Sequence, residues 1–342
     1  FLSTTDGIGA LVTSGEDFEF GSDIQTAAAE LDTVLDGSFT DPPSVIAGRA
    51  PDLKIARRLA LALTGSLPSV EELRKYEQVD ASDRVGWYVS YLLNDKRCSQ
   101  YLAERMARVV VGVEEGPFLI YRRRRFVAWL AEQIHENRPY DQLVRQIMTD
   151  SGLWTDSPAV NFYTLNIVGD EEANQKPDPI RMAARTSRAF LGMRIDCLQC
   201  HDDFLGTMNL GFEGEPVAGN QRHFHSLASF FSQVENSLVG ITDQLEAETY
   251  CFQLLGTDEP DRIQPEVPFS ADLDDRTQSN LRLRLANWIT DPDNRPFARA
   301  IVNRIWAVMF GRGLIQPVDG IPLEGPFPDA LEFLVDDFVD HG

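Results

Sequence analysis

Between Leu53 and Thr149 apolar residues recur at helical spacing in one short segment after another, and no convincing strand-like alternation interrupts them. Ile55, Leu59, Ala62 and Leu63 share one face of a helix that Thr64-Gly65 stops. Leu67-Pro68-Ser69 then opens another, with Glu71 and Glu72 in its first turn. Further helical segments are predicted at about 82–93, 97–112, 122–135 and 140–149, separated by turns such as Asn137-Arg138-Pro139. Residues 151–179 read as loop, including Asn161-Phe162-Tyr163 and Gly169 to Glu172. The helical pattern resumes at Ile180, placing Met182, Ala183, Thr186, Ala189, Phe190 and Met193 on one side. It returns from about 279, through Leu283, Ala286, Trp288 and Ile289, then from Pro296 to Met309 before Gly311-Arg312-Gly313. This texture specifies a mainly α protein. The expected organisation is an N-terminal arm over 1–49, an irregular multi-helix domain over 50–240, a linker over 241–278 and a second helical domain over 279–342. The arm holds one helix-like stretch around Ile24–Leu35 and closes at Asp41-Pro42-Pro43. Because the sequence stops directly after an amphipathic run, the second domain is expected to continue beyond Gly342.

Asp and Glu number 53 against 31 Lys and Arg, a formal net charge of -22 that disfavours nucleic acid and anionic lipid as partners. It favours a partner protein with a basic face. No long uncharged apolar run is present to span a membrane. Phe1 to Thr5 carry neither a basic nor an apolar leader region, so a start at Phe1 fits a mature or trimmed chain. Arg122 to Arg125 form a basic run in this acidic background. They fit either a helix surface paired with carboxylates or a cationic patch near the acid groups of a cofactor.

The chemistry concentrates at Cys197-Leu198-Gln199-Cys200-His201, the C-x-x-C-H pattern that attaches a c-type haem. Each thiol adds to one porphyrin vinyl as a thioether, and the adjacent histidine takes the iron as proximal ligand. One covalent haem c is therefore expected, held by Cys197, Cys200 and His201, with Phe190 and Met193 of the preceding helix packing against it. Such attachment belongs to a periplasmic or otherwise extracytoplasmic space. The remaining cysteines, Cys98 and Cys251, are expected as small buried thiols, with one disulfide as the alternative.

A second axial ligand must come from His or Met. His135 and His341 lie at polar segment ends, which leaves His223, His225 and Met208 as distal candidates. If 222–234 is helical, His223 and His225 point roughly 200° apart. Leu227, Phe230 and Val234 then align under His223, so periodicity puts His223 toward the core and His225 away from it. If the segment is extended, both rings share a face. The same donors permit a Cys₂His₂ zinc site from Cys197, Cys200 and one or two of His201, His223 and His225. The adjacency of Cys200 and His201 is awkward for one tetrahedral ion. No nucleophile elbow, P-loop or dinucleotide-binding glycine pattern is present, so no catalytic residue is assigned. A single-haem electron carrier is the leading expectation. A haem enzyme with an open distal position and a zinc-binding or metal-free interaction module are the alternatives.

Several stretches carry a wider resemblance. They are Arg57-Arg58-Leu59 through Leu63-Thr64-Gly65-Ser66-Leu67-Pro68, Asn137-Arg138-Pro139-Tyr140-Asp141-Gln142-Leu143, and Arg188-Ala189-Phe190-Leu191-Gly192-Met193 leading into Cys197–Asp202. Leu227-Ala228-Ser229-Phe230-Phe231, Leu285-Ala286-Asn287-Trp288-Ile289 and Ala298–Gly313 follow in order. Together they resemble the planctomycete-type proteins in which a cytochrome-like PSCyt2 (DUF1549) domain precedes a PSD1 (DUF1553) domain. The resemblance implies an exported, mostly α-helical c-type cytochrome. Two features depart from the family pattern. Asp203 stands where relatives commonly carry a histidine in C-x-x-C-H-[DN]-H, and the Gly-rich stretch 206–219 is longer than usual. The position of His225 is one where relatives often carry Tyr or His.

Overall fold

A computed structural model describes residues 22–38, 48–113, 116, 120–167, 176–212, 215–245 and 249–341. Phe1 to Thr5, the Asp41-Pro42-Pro43 linker and Gly169 to Glu172 lie outside the described residues. The architecture is mainly α, as the periodicity demanded. Helices α1 (Ser22–Ser38), α2 (Asp52–Thr64), α3 (Val70–Gln78), α4 (Arg84–Leu93), α5 (Lys96–Val110), α6 (Arg123–His135) and α7 (Tyr140–Thr149) come first. A 3-10 turn at Pro158–Val160 leads into the single-turn α8 (Asn161–Thr164), inside a stretch read from sequence as loop. Helix α9 (Pro179–Leu191), a 3-10 turn over Asp196–Gln199 and α10 (Gln221–Ser229) carry the cysteine motif and its surroundings. Two small antiparallel hairpins follow, β1 (Val234–Ser237) with β2 (Gly240–Asp243), and β3 (Cys251–Phe252) with β4 (Asp261–Arg262). Helices α11 (Leu281–Ile289), α12 (Arg295–Phe310) and α13 (Asp329–His341) complete the chain.

Local chemistry sets the helix ends. Ser69 caps α3 through a reciprocal capping box: its hydroxyl accepts from the Glu72 amide at 3.1 Å, and its own amide donates to the Glu72 carboxylate at 2.5 Å. Helix α9 stops at Gly192, in the left-handed conformation with φ 64. A side chain there would meet Ala300 and Ile321 at 3.1 Å, so glycine is needed for both backbone and space.

Three apolar clusters form. The smallest joins α12 and α13 through Ala298, Leu331 and Val335. A second lies under α2 to α5 and contains Ala56, Ala60, Leu63, Tyr76, Tyr88, Leu92 and Cys98. The largest gathers Phe126, Phe162, Tyr163, Phe190, Phe224, Phe230 and Trp288. Trp288 belongs to α11, so the helical segment beginning near residue 279 closes the same core as α5 to α10. Residues 241–278, expected to act as a linker, contribute Ile241, Val267 and Phe269 to that core and contain three of the short strands.

Candidate functional site

Ion pairing, backbone turns and one buried leucine fix the cysteine motif. Arg188, in the last turn of α9, donates to the Asp196 carboxylate at 2.7 Å and so ties the turn back to its helix. Within the turn the Leu198 amide bonds the Ile195 carbonyl at 3.0 Å and the Cys200 amide bonds that of Cys197 at 3.2 Å. Leu198 is fully buried, whereas Cys197, Cys200 and His201 are exposed. Three residues of near-helical advance bring both thiols to one side while the leucine between them anchors the backbone. Both cysteines are free thiols.

Nδ1 of His201 lies 2.7 Å from the carbonyl oxygen of Asp202, which fixes Nδ1 as the protonated donor and leaves Nε2 as the lone-pair nitrogen. The His201 ring stacks on Phe204, with centroids 6.1 Å apart and planes 20° apart. Phe204 and Leu205 are 78% and 86% exposed, so an uncovered apolar surface adjoins the imidazole. Asp203 clamps this loop. Its carboxylate accepts from the Met208 amide at 2.5 Å, the Leu205 amide at 3.2 Å and the Thr207 hydroxyl at 3.2 Å. The Met208 amide bond, foremost, holds the Asp203 carboxyl below its ordinary range. Asp203 is therefore the residue that shapes the 204–208 loop following the motif.

The other side of the motif is held by α10. Asn220 caps that helix, and the adjacent Gln221 amide donates to the Asp202 carboxylate at 2.9 Å. The Gln199 carbonyl, inside the motif, accepts from the Gln221 side chain at 3.2 Å and from Nε2 of His225 at 3.1 Å. Because a carbonyl only accepts, His225 carries its proton on Nε2, and its Nδ1 accepts from the Tyr250 hydroxyl at 2.9 Å. The ring stacks on Phe252 at 3.6 Å between centroids. Burial holds the His225 pKa below its ordinary 6.5 and keeps the ring neutral.

The helical-wheel expectation is thus reversed. His225 is fully buried and His223 only partly. The β3–β4 hairpin brings Tyr250 and Phe252 over the face that periodicity assigned to solvent, so α10 is enclosed on nearly every side. His223 accepts the Asn220 amide at 3.2 Å on Nδ1, completing the capping box of α10. Met208 is half-buried beside Leu198 and Gly219, its carbonyl bonded by the Gly219 amide at 3.0 Å. Phe190 and Met193, expected to pack on a cofactor, lie inside the main core, Phe190 against Phe162 at 5.8 Å. The motif's apolar neighbours on the surface are instead Phe204 and Leu205.

Cys98 and Cys251 form no disulfide: Cys98 is buried and Cys251 exposed. Among the described residues no three His, Cys, Asp or Glu side chains gather as a metal-binding group. In the basic run, Arg123 pairs with Glu104 at 2.9 Å, while Arg122 and Arg125 lie over the Trp154 ring at 4.8 and 5.6 Å. Sequence reading missed Gln221 and Tyr250, the polar groups that hold the motif from behind. Neither sits in a pattern that marks it.

Among the described residues no helix is long and apolar enough to cross a membrane. No curated protein and no solved structure matches the chain. A family profile described as PSCyt2, protein of unknown function (DUF1549), matches residues 30–236, and one described as PSD1, protein of unknown function (DUF1553), matches residues 281–342. The first spans more than half of the sequence and contains the whole cysteine motif: the chain belongs to the PSCyt2 family, followed by a PSD1 segment.

Proposed function

We propose that this chain carries one covalent c-type haem and serves in electron transfer. Cys197 and Cys200 would hold the group as thioethers and His201 would ligate through Nε2, leaving the Nδ1 proton on the Asp202 carbonyl to orient the ring. The group supplies one-electron redox chemistry when bound. The observation that carries this reading is the pair of exposed free thiols on a turn anchored by buried Leu198, with an exposed imidazole directly after. Phe204 and Leu205 offer the apolar surface that a porphyrin edge covers. An extracytoplasmic location and a redox partner with a basic face belong to the same proposal, the latter from the net charge of -22.

A second reading, a haem enzyme with an open distal position, is favoured by one observation. Both nitrogens of His225 are engaged, Nδ1 of His223 serves the α10 cap, and Met208 packs beside Leu198. Export of the chain together with a c-haem maturation system tests both readings. Haem staining on a denaturing gel and a pyridine haemochrome spectrum are expected to show covalent haem that Cys197→Ser and Cys200→Ser abolish. Pigment that acid–acetone removes entirely, or no pigment at all, overturns the proposal. A low-spin spectrum unmoved by carbon monoxide or cyanide supports the electron carrier, and a shift supports the open site.

A further inference from the structure

Beside the cysteine turn lies a cleft of about 800 Å³ that the haem reading does not use. It runs between α5, α9 and α12, and five arginines line it: Arg108, Arg181, Arg185, Arg188 and Arg304. In a chain of net charge -22 this is a local reversal of sign. Two acids share the lining. Asp196 is taken by Arg188, and Asp319 accepts from Arg194 at 2.9 Å. Arg108 pairs with Glu104 at 3.1 Å and Arg181 lies 3.8 Å from Asp178, both on exposed side chains where such pairs contribute little.

Arg304 is the telling member. It is 9% exposed and has no carboxylate within ion-pair distance among the described residues. Its two amino groups donate to the Ala189 carbonyl at 2.8 Å and the Arg188 carbonyl at 3.1 Å, at the C-terminal end of α9. Those bonds employ two of the five N–H donors of a guanidinium. A buried cation without an anion is costly, and burial pulls the Arg304 pKa below its usual value. The cleft wall beside it also carries short apolar side chains, Val109, Ala184 and Val318, which suit a carbon skeleton more than a bare ion.

We propose that this cleft binds a small, multiply charged oxyanion ligand, one carrying two or more carboxylate or phosphate groups. Arg304 supplies the buried cation at the base, and Arg108 and Arg181, held only by exposed ion pairs, supply planar forks at the rim, while Arg185 already donates to the Asn166 side chain at 2.9 Å. Guanidinium groups match such oxyanions through paired, charge-assisted hydrogen bonds. None of Cys197, Cys200 and His201 lines the cleft, so its arginines are in place whether or not those cysteines carry haem. The same oxyanion chemistry has two sources, a free metabolite-sized polyanion or the propionates of a haem attached next door.

Calorimetric titration of the full chain, produced without haem, with citrate and with pyrophosphate at low ionic strength tests the proposal. The expected result is one saturable site for at least one probe, with Kd below about 1 mM. The Arg108→Gln/Arg181→Gln double variant, checked for unchanged circular dichroism, is expected to weaken that site at least about tenfold. Arg304→Met is expected to abolish it, but because that side chain also bonds the end of α9, the double variant decides if Arg304→Met fails to fold. No saturable binding of either probe, or binding unchanged in the double variant, overturns the proposal. Repeating the titration on haem-loaded chain separates the sources. Retained binding identifies a free ligand, and lost binding identifies the propionates as the occupant.

Discussion

His225, itself fully buried, makes two bonds with opposite roles, donating to the Gln199 carbonyl and accepting from the Tyr250 hydroxyl. Removing the ring leaves the Gln199 carbonyl with only its Gln221 donor, the Tyr250 hydroxyl without its acceptor, worth about 1–3 kcal/mol, and a cavity against Phe252. His225→Ala is therefore expected to lower unfolding free energy by about 2–4 kcal/mol in urea titration. The same residue gives a pH dependence whose sign follows from burial. Its folded pKa lies below the ordinary 6.5, so above pH 6.5 the ring is neutral in both states and the full contribution is present. As pH falls through 6.5 toward the depressed folded value, the unfolded chain takes up the proton first and stability is lost. His223, also depressed chiefly by burial, adds in the same window. Melting temperature should thus fall as pH drops below 6.5 in the parent chain, and fall less in His223→Gln/His225→Gln. The four thiols divide just as clearly. Burial pushes Cys98 up to about 11, whereas Cys197, Cys200 and Cys251 are exposed. A disulfide-exchange reagent at neutral pH should titrate three thiols quickly in the haem-free native chain and the fourth only on unfolding. Four fast thiols would contradict the packing of Cys98 among Tyr88, Leu92 and Ala60.

At the scale of elements, the joint between α9 and the cysteine turn depends on Gly192. Its φ of 64 costs a side-chain-bearing residue roughly 1–2 kcal/mol, before the overlap with Ala300 and Ile321 is counted. Gly192→Ala is expected to destabilise by at least that amount in thermal or urea unfolding. It should also speed hydrogen exchange at the Leu198 and Cys200 amides, whose bonds define the turn. Where α9 stops was not read from the sequence, since the apolar pattern ran on to Met193 past the left-handed Gly192, but that a helix leads into the motif was. Helices α4 to α7 were readable too, where long amphipathic segments repeat the helical period several times and leave little freedom in their boundaries. The hairpins were not readable. Strands of two and four residues give too few alternations to register, and Val267 and Phe269 enter the core from irregular backbone. That omission misled the reading of α10. A helical wheel ranks faces by their apolar content, so it could not assign a buried role to a face carrying His225, Ser229 and Ser232. Tyr250 and Phe252, whose pairing in space with His225 has no sequence periodicity, bury that face and satisfy its polar ring. At the motif, the identity and spacing of Cys197, Cys200 and His201 were legible. The residues that hold them from behind, Gln221 and Tyr250, act across separations the local pattern does not encode.

For the whole molecule, the decisive contacts join the PSD1 segment to the hairpins and to α7. Arg282 of α11 is fully buried, bonds the Asp243 carboxylate at 2.6 and 2.7 Å, and donates to the Asp150 carbonyl at 2.7 Å. Its guanidinium lies over the Tyr163 ring at 4.8 Å. Two residues on, Arg284 pairs with buried Asp274 at 2.6 and 2.5 Å. These pairs flank Leu285 and Trp288, which lie in the same core as Phe190 and Leu198. A buried ion pair adds little over an apolar pair of equal shape, but losing one partner strands a charge and costs about 3–5 kcal/mol. Asp243→Ala should therefore destabilise by about that much, whereas Asp243→Leu/Arg282→Met should recover most of the loss. The destabilisation should reach the cysteine turn as well as α11, because one core serves both. Calorimetry of Asp243→Ala is expected to show one transition shifted to lower temperature, with van't Hoff and calorimetric enthalpies in agreement. Two resolved transitions, with the native-state signal of the region around Trp288 lost before that of the cysteine turn, would instead mean that the PSD1 segment unfolds separately. The shared core would then contribute less to cooperativity than the burial of Trp288 implies.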